Sequence, residues 1–132
     1  MAEKRFIVEL GTGADLHGQD ATKAACRAVQ DAISRSCLCG LVEIVGLRNL
    51  DAMRVEVLVA VPTPEQVQAD AVLTAIPFGR KELRVVGGGL RAPGMYQPEL
   101  GDESADVIVA NAAVTVWVDP EDQKGGDIDS AL

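Results

Sequence analysis

Apolar and polar residues alternate from Lys4 to Leu10, which is the pattern of a β-strand with one apolar face. A glycine-containing loop follows this strand. From Ala21 to Ile33 the apolar residues recur at helical spacing, and Asp20 stands where a helix N-cap is expected. Most of the apolar stripe is alanine, so we expect this helix to lie unusually close to its sheet.

The rest of the chain predicts three further main strands and a second helix. The strands are residues 53–61, 82–86 and 106–118, with residues 41–45 as a short additional strand. Thr63, followed by Pro64, begins a second helix that reaches about Ile76. Residues 90–103 contain several prolines and glycines and form a long irregular connection, of a kind that is often functional. The predicted fold is α+β in the order β-α-β-α-β-β, a mixed four-stranded sheet with two helices on one face.

Two of these strands, residues 55–61 and 107–118, are apolar on both faces, which indicates that both faces of the sheet are buried. Two helices can cover only one face of a four-stranded sheet. We therefore expect the other face to be covered by further copies of the chain in a closed homo-oligomer, with a trimer as the favoured stoichiometry.

Composition limits the class of protein and its partners. The chain has 132 residues, of which 48% are hydrophobic, enough for one domain over residues 1–118. Residues 119–132 hold five acids and one lysine and predict a disordered acidic tail. A net charge of −8 and few aromatic residues argue against nucleic acid and anionic membranes as partners.

The same features favour a cytoplasmic location. No apolar segment is long enough for a signal peptide or a membrane span. Three cysteines, an odd number, suit reduced thiols better than a secreted disulfide framework.

The chain's single histidine, His17, lies in the predicted loop between the first strand and the first helix. An imidazole is the natural proton carrier near neutral pH. We expect Asp15 or Glu9 to orient it, and Lys23 or Arg91 to neutralise an anionic substrate. His17, Asp15 and Lys23 are therefore the predicted catalytic residues. No serine or cysteine has an evident partner base, so proton transfer or plain binding is favoured over covalent catalysis.

A second set of residues is predicted to contact a ligand. Gly13 and Gly88 would let a ligand approach bare backbone, and Arg91 would bind a carboxylate. Asp20 is a candidate oxygen ligand as well as a helix cap. Asn111 lies in an apolar strand and needs a partner if it is buried, either a ligand or, as favoured here, a group of the protein itself.

Two more specific interpretations of the His17 loop, as a phosphate loop and as a metal site, have less support. Residues 11–13 resemble the start of a phosphate loop, but Leu16 stands where a dinucleotide motif needs its third glycine. Asp15, His17 and Asp20 could supply oxygen and nitrogen ligands to Mn²⁺ or Zn²⁺. Turn formation and helix capping explain the two aspartates more simply. No metal is assigned, and the sequence identifies no cofactor.

Several blocks of the chain resemble a small family of bacterial conserved hypothetical proteins. The most specific block is Gly13-Ala-Asp-Leu-His-Gly-Gln-Asp20, and the others are residues 22–25, 57–62, 85–94 and 111–116. The likeness covers residues 4–118. The resemblance implies no activity, and therefore no catalytic residue.

A more distant resemblance lies in the element order alone. The order β-α-β-α-β-β is similar to that of the trimeric chorismate mutases, the reactive-intermediate deaminases and the repeated unit of ring-opening amidohydrolases such as cyanuric acid hydrolase. This likeness implies sheets around a central barrel, helices outside and ligands between subunits. The chain lacks the serine and lysine signatures of the amidohydrolases. A ferredoxin-like arrangement remains open if residues 41–45 pair as a full strand.

These observations leave two hypotheses for function. In the first, the protein is a small-molecule-binding protein or enzyme with inter-subunit sites in a ring-shaped homo-oligomer. In the second, it is a non-catalytic assembly or ligand-binding module in which the His17 loop is an interface element. The sequence does not decide whether the protein is an enzyme.

Overall fold

A computed structural model describes residues 2–120 of the chain. Within this part the strands are β1 (Lys4–Asp15), β2 (Arg54–Val61), β3 (Arg80–Gly87), β4 (Leu90–Pro93) and β5 (Asp106–Val118). The α-helices are α1 (Ala21–Ile33), α2 (Cys39–Glu43) and α3 (Ala69–Leu73).

The strands form one mixed sheet in the order β1-β5-β2-β3, with β4 also beside β5. β1 and β2 run antiparallel to β5, and β3 runs parallel to β2. This confirms the predicted α+β class. The sheet has five strands and not four, because Gly89, at φ 65°, turns the chain at the end of β3. Residues 90–93 then pair with β5 beyond the point where β2 ends, so the start of the predicted irregular connection is a strand.

Helix α1 lies very close to β1, as its alanine-rich stripe predicts. The Asp20 side chain accepts a hydrogen bond from the Lys23 amide and caps the helix. A Cβ added at Gly11 would lie 2.3 Å from the Ala28 carbonyl oxygen, and one added at Gly13 would lie 2.3 Å from the Ala28 amide nitrogen. β1 continues to Asp15, so Gly13 lies in a strand and not in the predicted loop, and α1 packs directly against it.

Two predicted elements differ from the structure. Residues 41–45 are not a strand: Leu41 lies in helix α2, and Ile44 is 85% exposed. The predicted second helix is also interrupted. It comprises a 3₁₀ turn (Pro64–Gln66) and helix α3, because Val67 adopts an extended backbone conformation between them. The described residues thus contain three α-helices instead of the two predicted.

The helices cover one face of the sheet. Val55, Val57 and Val59 of β2 are fully buried on that face, in one cluster with the alanines of α1. The opposite face is open and partly apolar. Val8 is 47% exposed and Leu10 65% exposed, so the apolar face of β1 lies outside the core of this chain.

Of the predicted tail, only Asp119 and Pro120 are described, and residues 121–132 lie outside the described part of the chain. No helix among residues 2–120 is both long and apolar enough to span a lipid bilayer.

Candidate functional site

The loop between β1 and α1 is tied to the connection between β4 and β5 by one carboxylate. His17 Nδ1 lies 2.8 Å from Oδ2 of Asp102, whose side chain is fully buried. The amide of Gly18 donates to Oδ1 at 2.7 Å, and the amide of Gln97 donates to Oδ2 at 2.8 Å. Asp102 thus joins residues that are far apart in the sequence.

These hydrogen bonds decide the ionisation of Asp102. Burial, the largest single influence, raises its pKa, but the hydrogen bonds from His17, Gln97, Gly18 and Gln19 together outweigh burial and hold the pKa well below its ordinary value. Asp102 is therefore a carboxylate at neutral pH. A carboxylate only accepts hydrogen bonds, so we assign the proton on neutral His17 to Nδ1.

That tautomer leaves Nε2 of His17 with a lone pair. Nε2 makes no hydrogen bond to any residue between 2 and 120, and the side chain is 29% exposed. An imidazole oriented by a buried carboxylate, with its other nitrogen accessible, can accept a proton or bind a donor group of a ligand.

Gln19 also binds Asp102 at this junction between the His17 loop and the β4–β5 connection. It was not among the predicted residues. Its φ of 52° lies in the left-handed region, which costs a non-glycine residue about 1–2 kcal/mol. Its side-chain amide nitrogen donates to Asp102, at 3.1 Å, and to the Asp106 carbonyl, at 2.9 Å. Its Oε1 accepts from the Glu103 amide at 2.9 Å. These bonds hold the strained backbone in place.

The predicted partners of His17 lie elsewhere. Asp15 is buried and accepts from the Asp20 amide at 2.8 Å, and its other oxygen lies 3.3 Å from the Arg27 guanidinium. Glu9 also faces the helices and contacts neither His17 nor its loop. The prediction that Asp15 or Glu9 orients His17 is therefore wrong, because both point towards the helical layer from β1.

A polar cleft of about 300 Å³ adjoins the junction. Gln19 forms part of its wall, so the His17 loop and the cleft share a residue. Arg91 also lines the cleft, and its guanidinium lies 3.2 Å from the Asp106 carboxylate. The remaining lining residues are Thr63, Gln66, Glu103, Ser104 and Ile108.

His17 itself does not line this cleft, and neither do three other predicted contacts. Lys23 is exposed on α1. Gly88 occupies the bend after β3, where an added Cβ would lie 2.9 Å from Ala60 Cβ. Asn111 is exposed on the open face of the sheet, opposite Thr12 and Ala60, so it does not need the partner that burial would have required.

The aspartates of the predicted loop do not form a metal centre in the described part of the chain. Asp20 caps α1, Asp15 binds backbone and Arg27, and His17 binds Asp102. Across residues 2–120, no three histidine, cysteine or carboxylate side chains converge with the spacing of metal ligands.

Comparison with known proteins agrees with this fold. The family model of the conserved hypothetical protein Lin0512_fam matches residues 5–116. The chain is also similar to the crystal structure of an FtsZ-like protein of unknown function from Nostoc punctiforme PCC 73102, with 49% identity and a TM-score of 0.82. That match covers 90% of this chain and 98% of the other. No curated protein matches the chain. The chain belongs to the Lin0512_fam family of conserved hypothetical proteins.

Proposed function

We propose that the protein binds a small polar or anionic molecule in the cleft beside His17. The observation that carries this proposal is the His17–Asp102 pair. Its carboxylate is buried and ionised, its imidazole is oriented through Nδ1, and its Nε2 is left for another molecule. Gln19, two residues after His17, lines the cleft directly.

Arg91 is the anion-binding group of the cleft, and the Glu103 side chain is the carboxylate that lines the same cleft. A guanidinium carries five N–H donors, and the ion pair with Asp106 uses the NH1 group. The remaining donors can bind a ligand carboxylate or phosphate in a bidentate manner. Gln66, Thr63 and Ser104 supply neutral hydrogen-bonding groups around it.

As an enzyme, the protein would use His17 to move a proton on a ligand held by Arg91. Asp102 would stabilise the imidazolium that forms, because an adjacent carboxylate favours the charged imidazole. Asp15 and Lys23 have no direct part in this scheme. Asp15 positions the loop through the Asp20 amide instead.

A non-catalytic role is the second candidate, and the hydrogen bonds of Asp102 favour it. They connect two loops of the same chain, so the pair could serve only to hold the connection before β5 in place. In that case His17 is a structural element and the cleft is empty in the working protein.

The open face of the sheet supports a homo-oligomer in both cases. Val8, Leu10 and Leu58 are exposed there, and burying them against neighbouring copies would remove apolar surface from water. We propose a closed ring, with a trimer favoured. Light scattering during size exclusion should give three times the chain mass of 13.9 kDa. A stable monomer at micromolar concentration would contradict the ring.

The binding proposal is tested by thermal shift with phosphate, succinate and succinimide on the wild type and three variants. A ligand should raise the melting temperature of the wild type, and Arg91→Gln and His17→Gln should each reduce this rise. Arg35→Gln is the matched control, since Arg35 also pairs with an aspartate but lies just beyond the C-terminal end of α1. Its response should equal that of the wild type.

The two roles of His17 give different results. A His17→Gln variant that melts lower without ligand, beside a wild type that responds to no probe, would refute binding and favour the structural role. An intact His17→Gln oligomer that has lost only the ligand response would favour the binding site.

A further inference from the structure

A second cavity lies at the C-terminal end of helix α1 and shares no residue with the polar cleft. It encloses about 390 Å³ between the helix-covered face of the sheet and the segment that contains α2. Its walls are almost entirely apolar. Ile33, Leu38 and Leu41 line one side, and Met53, Val55 and Ile76 line the other.

One ionisable group faces this cavity. Glu9, on β1, is only 6% exposed, and it is the single carboxylate among the described lining residues. The Ser36 side chain hydrogen-bonds to the carboxyl group, but Oε2 has no hydrogen-bond partner among residues 2–120. Desolvation raises the pKa of Glu9, and the Ser36 hydrogen bond offsets only part of this effect.

An unpartnered carboxylate oxygen in an apolar cavity is costly to the folded protein. Leaving a buried polar group unsatisfied costs about 1–3 kcal/mol, and more for a charged group. A valine or leucine at position 9 would remove this cost, because every other residue that lines the cavity is apolar or a cysteine. The carboxylate is therefore best explained by a molecule that binds it.

We propose that this cavity binds a small, largely apolar molecule with one protonated amine, which donates a hydrogen bond to Oε2 of Glu9. The single carboxyl group of the cavity matches a single amino group on the ligand. The volume lies at the lower end of the range of about 300–1,000 Å³ found for small-molecule sites. The apolar walls match an alkyl or aryl group. The site is independent of the cleft beside His17.

The walls also offer a way to observe binding. Cys37 and Cys39 line the cavity and are exposed, and Cys26, on α1, does not line it. A molecule in the cavity should therefore slow the alkylation of Cys37 and Cys39 by iodoacetamide. Cys26 serves as the internal reference.

The test compares 2-phenylethylamine and hexylamine with their uncharged counterparts 2-phenylethanol and hexanol. On the full-length wild type, the amines should bind at least tenfold more tightly than the alcohols, as measured by calorimetry, and should protect Cys37 and Cys39. The isosteric variant Glu9→Gln should lose this preference while still binding the alcohols. Val42→Trp, which fills the cavity, should abolish both.

Two results would overturn the proposal. The first is that neither amine binds the wild type at millimolar concentration, which would mean that the cavity holds only water. The second is an amine preference that survives Glu9→Gln, which would place the amine away from Oε2. Glu9→Gln removes a buried ionisable group and keeps the side-chain volume, so we expect this variant to fold.

Discussion

Replacing Gly11 with alanine should destabilise the protein more than any ordinary surface substitution. Gly11 lies in β1 directly beneath α1, and the new Cβ would lie 2.3 Å from the Ala28 carbonyl oxygen and 2.4 Å from the Ala32 amide nitrogen. Both atoms belong to the helix backbone, so no flexible side chain can move aside. The helix would have to shift outward by about 1 Å to restore ordinary contact distances.

The size of the effect follows from two opposing contributions. Overpacking in a well-packed core costs about 1–3 kcal/mol, and a contact with helix backbone belongs at the upper end of that range. Alanine also has fewer conformations than glycine in the unfolded chain, which stabilises the folded protein by about 0.4–1 kcal/mol. We therefore expect Gly11→Ala to lower the free energy of unfolding by about 2 kcal/mol.

Gly87→Ala is the matched control. Gly87 also lies in a strand, but a Cβ added there would meet no heavy atom within 4 Å. Its free energy of unfolding should stay within about 0.5 kcal/mol of the wild type. Urea unfolding, followed by circular dichroism, measures both variants. If Gly11→Ala proved as stable as Gly87→Ala, the close contact between α1 and β1 would be refuted.

Two further predictions concern the buried carboxylates. The pKa of Asp102 is lowered in the folded protein, so its ionisation stabilises the fold above its unfolded-state pKa of 3.8, and this contribution disappears as the pH falls further. The stability lost in Asp102→Asn should therefore be greatest near neutral pH and shrink below pH 3.8, which urea unfolding across pH can measure. The pKa of Glu9 is raised, so wild-type stability should fall as the pH rises from 4.5 through the folded-state pKa. Glu9→Gln should lack that fall, and parallel curves for the two proteins would contradict the burial of a free carboxylate.

The long elements could be predicted because their patterns extend over many residues. α1 shows a helical stripe over 13 residues, and the predicted strand at residues 106–118 matches β5. The short elements could not. α2 and α3 have five residues each, too few for a period to be recognised, and tertiary contacts decided which of their side chains are buried. β4 depends on the turn at Gly89, which the sequence shows only as part of a glycine run.

The sequence also did not show which face of β1 lies against the core. Alternation identifies two faces but does not say which one meets the helices. Here the helices cover the face with Glu9, Gly11 and Gly13. The two glycines have no side chain, so the alanine-rich helix α1 can pack closely against them. Val8 and Leu10 are left on the open face, which is the strongest argument for a neighbouring copy there.

At the candidate site, the sequence identified His17 but not its partner. Asp102 lies 85 residues away, in a connection whose prolines and glycines give no periodic signal. Gln19 carried no signal either, since glutamine is an ordinary surface residue and its left-handed backbone becomes visible only in the structure. Their close spacing favoured Asp15 as the partner of His17. Residues two apart point to the same face only when both lie within the strand. β1 ends at Asp15, and the turn through Gly18 sends His17 the other way.

The position of His17 therefore depends on packing that lies outside the cleft. Gly11 and Gly13 let α1 rest on β1, and Asp15 holds the Asp20 amide where that helix begins. Residues 16–19 must then connect two fixed ends, which leaves the loop little freedom. Asp102 accepts hydrogen bonds from the groups that this loop presents: one imidazole nitrogen, the Gly18 amide and the Gln19 side-chain amide. A carboxylate buried this completely needs hydrogen-bond donors that are already in place, because disordered donors would not offset the free-energy cost of its desolvation. The close helix is thus the condition for the ionised Asp102, and through it for the orientation of the imidazole.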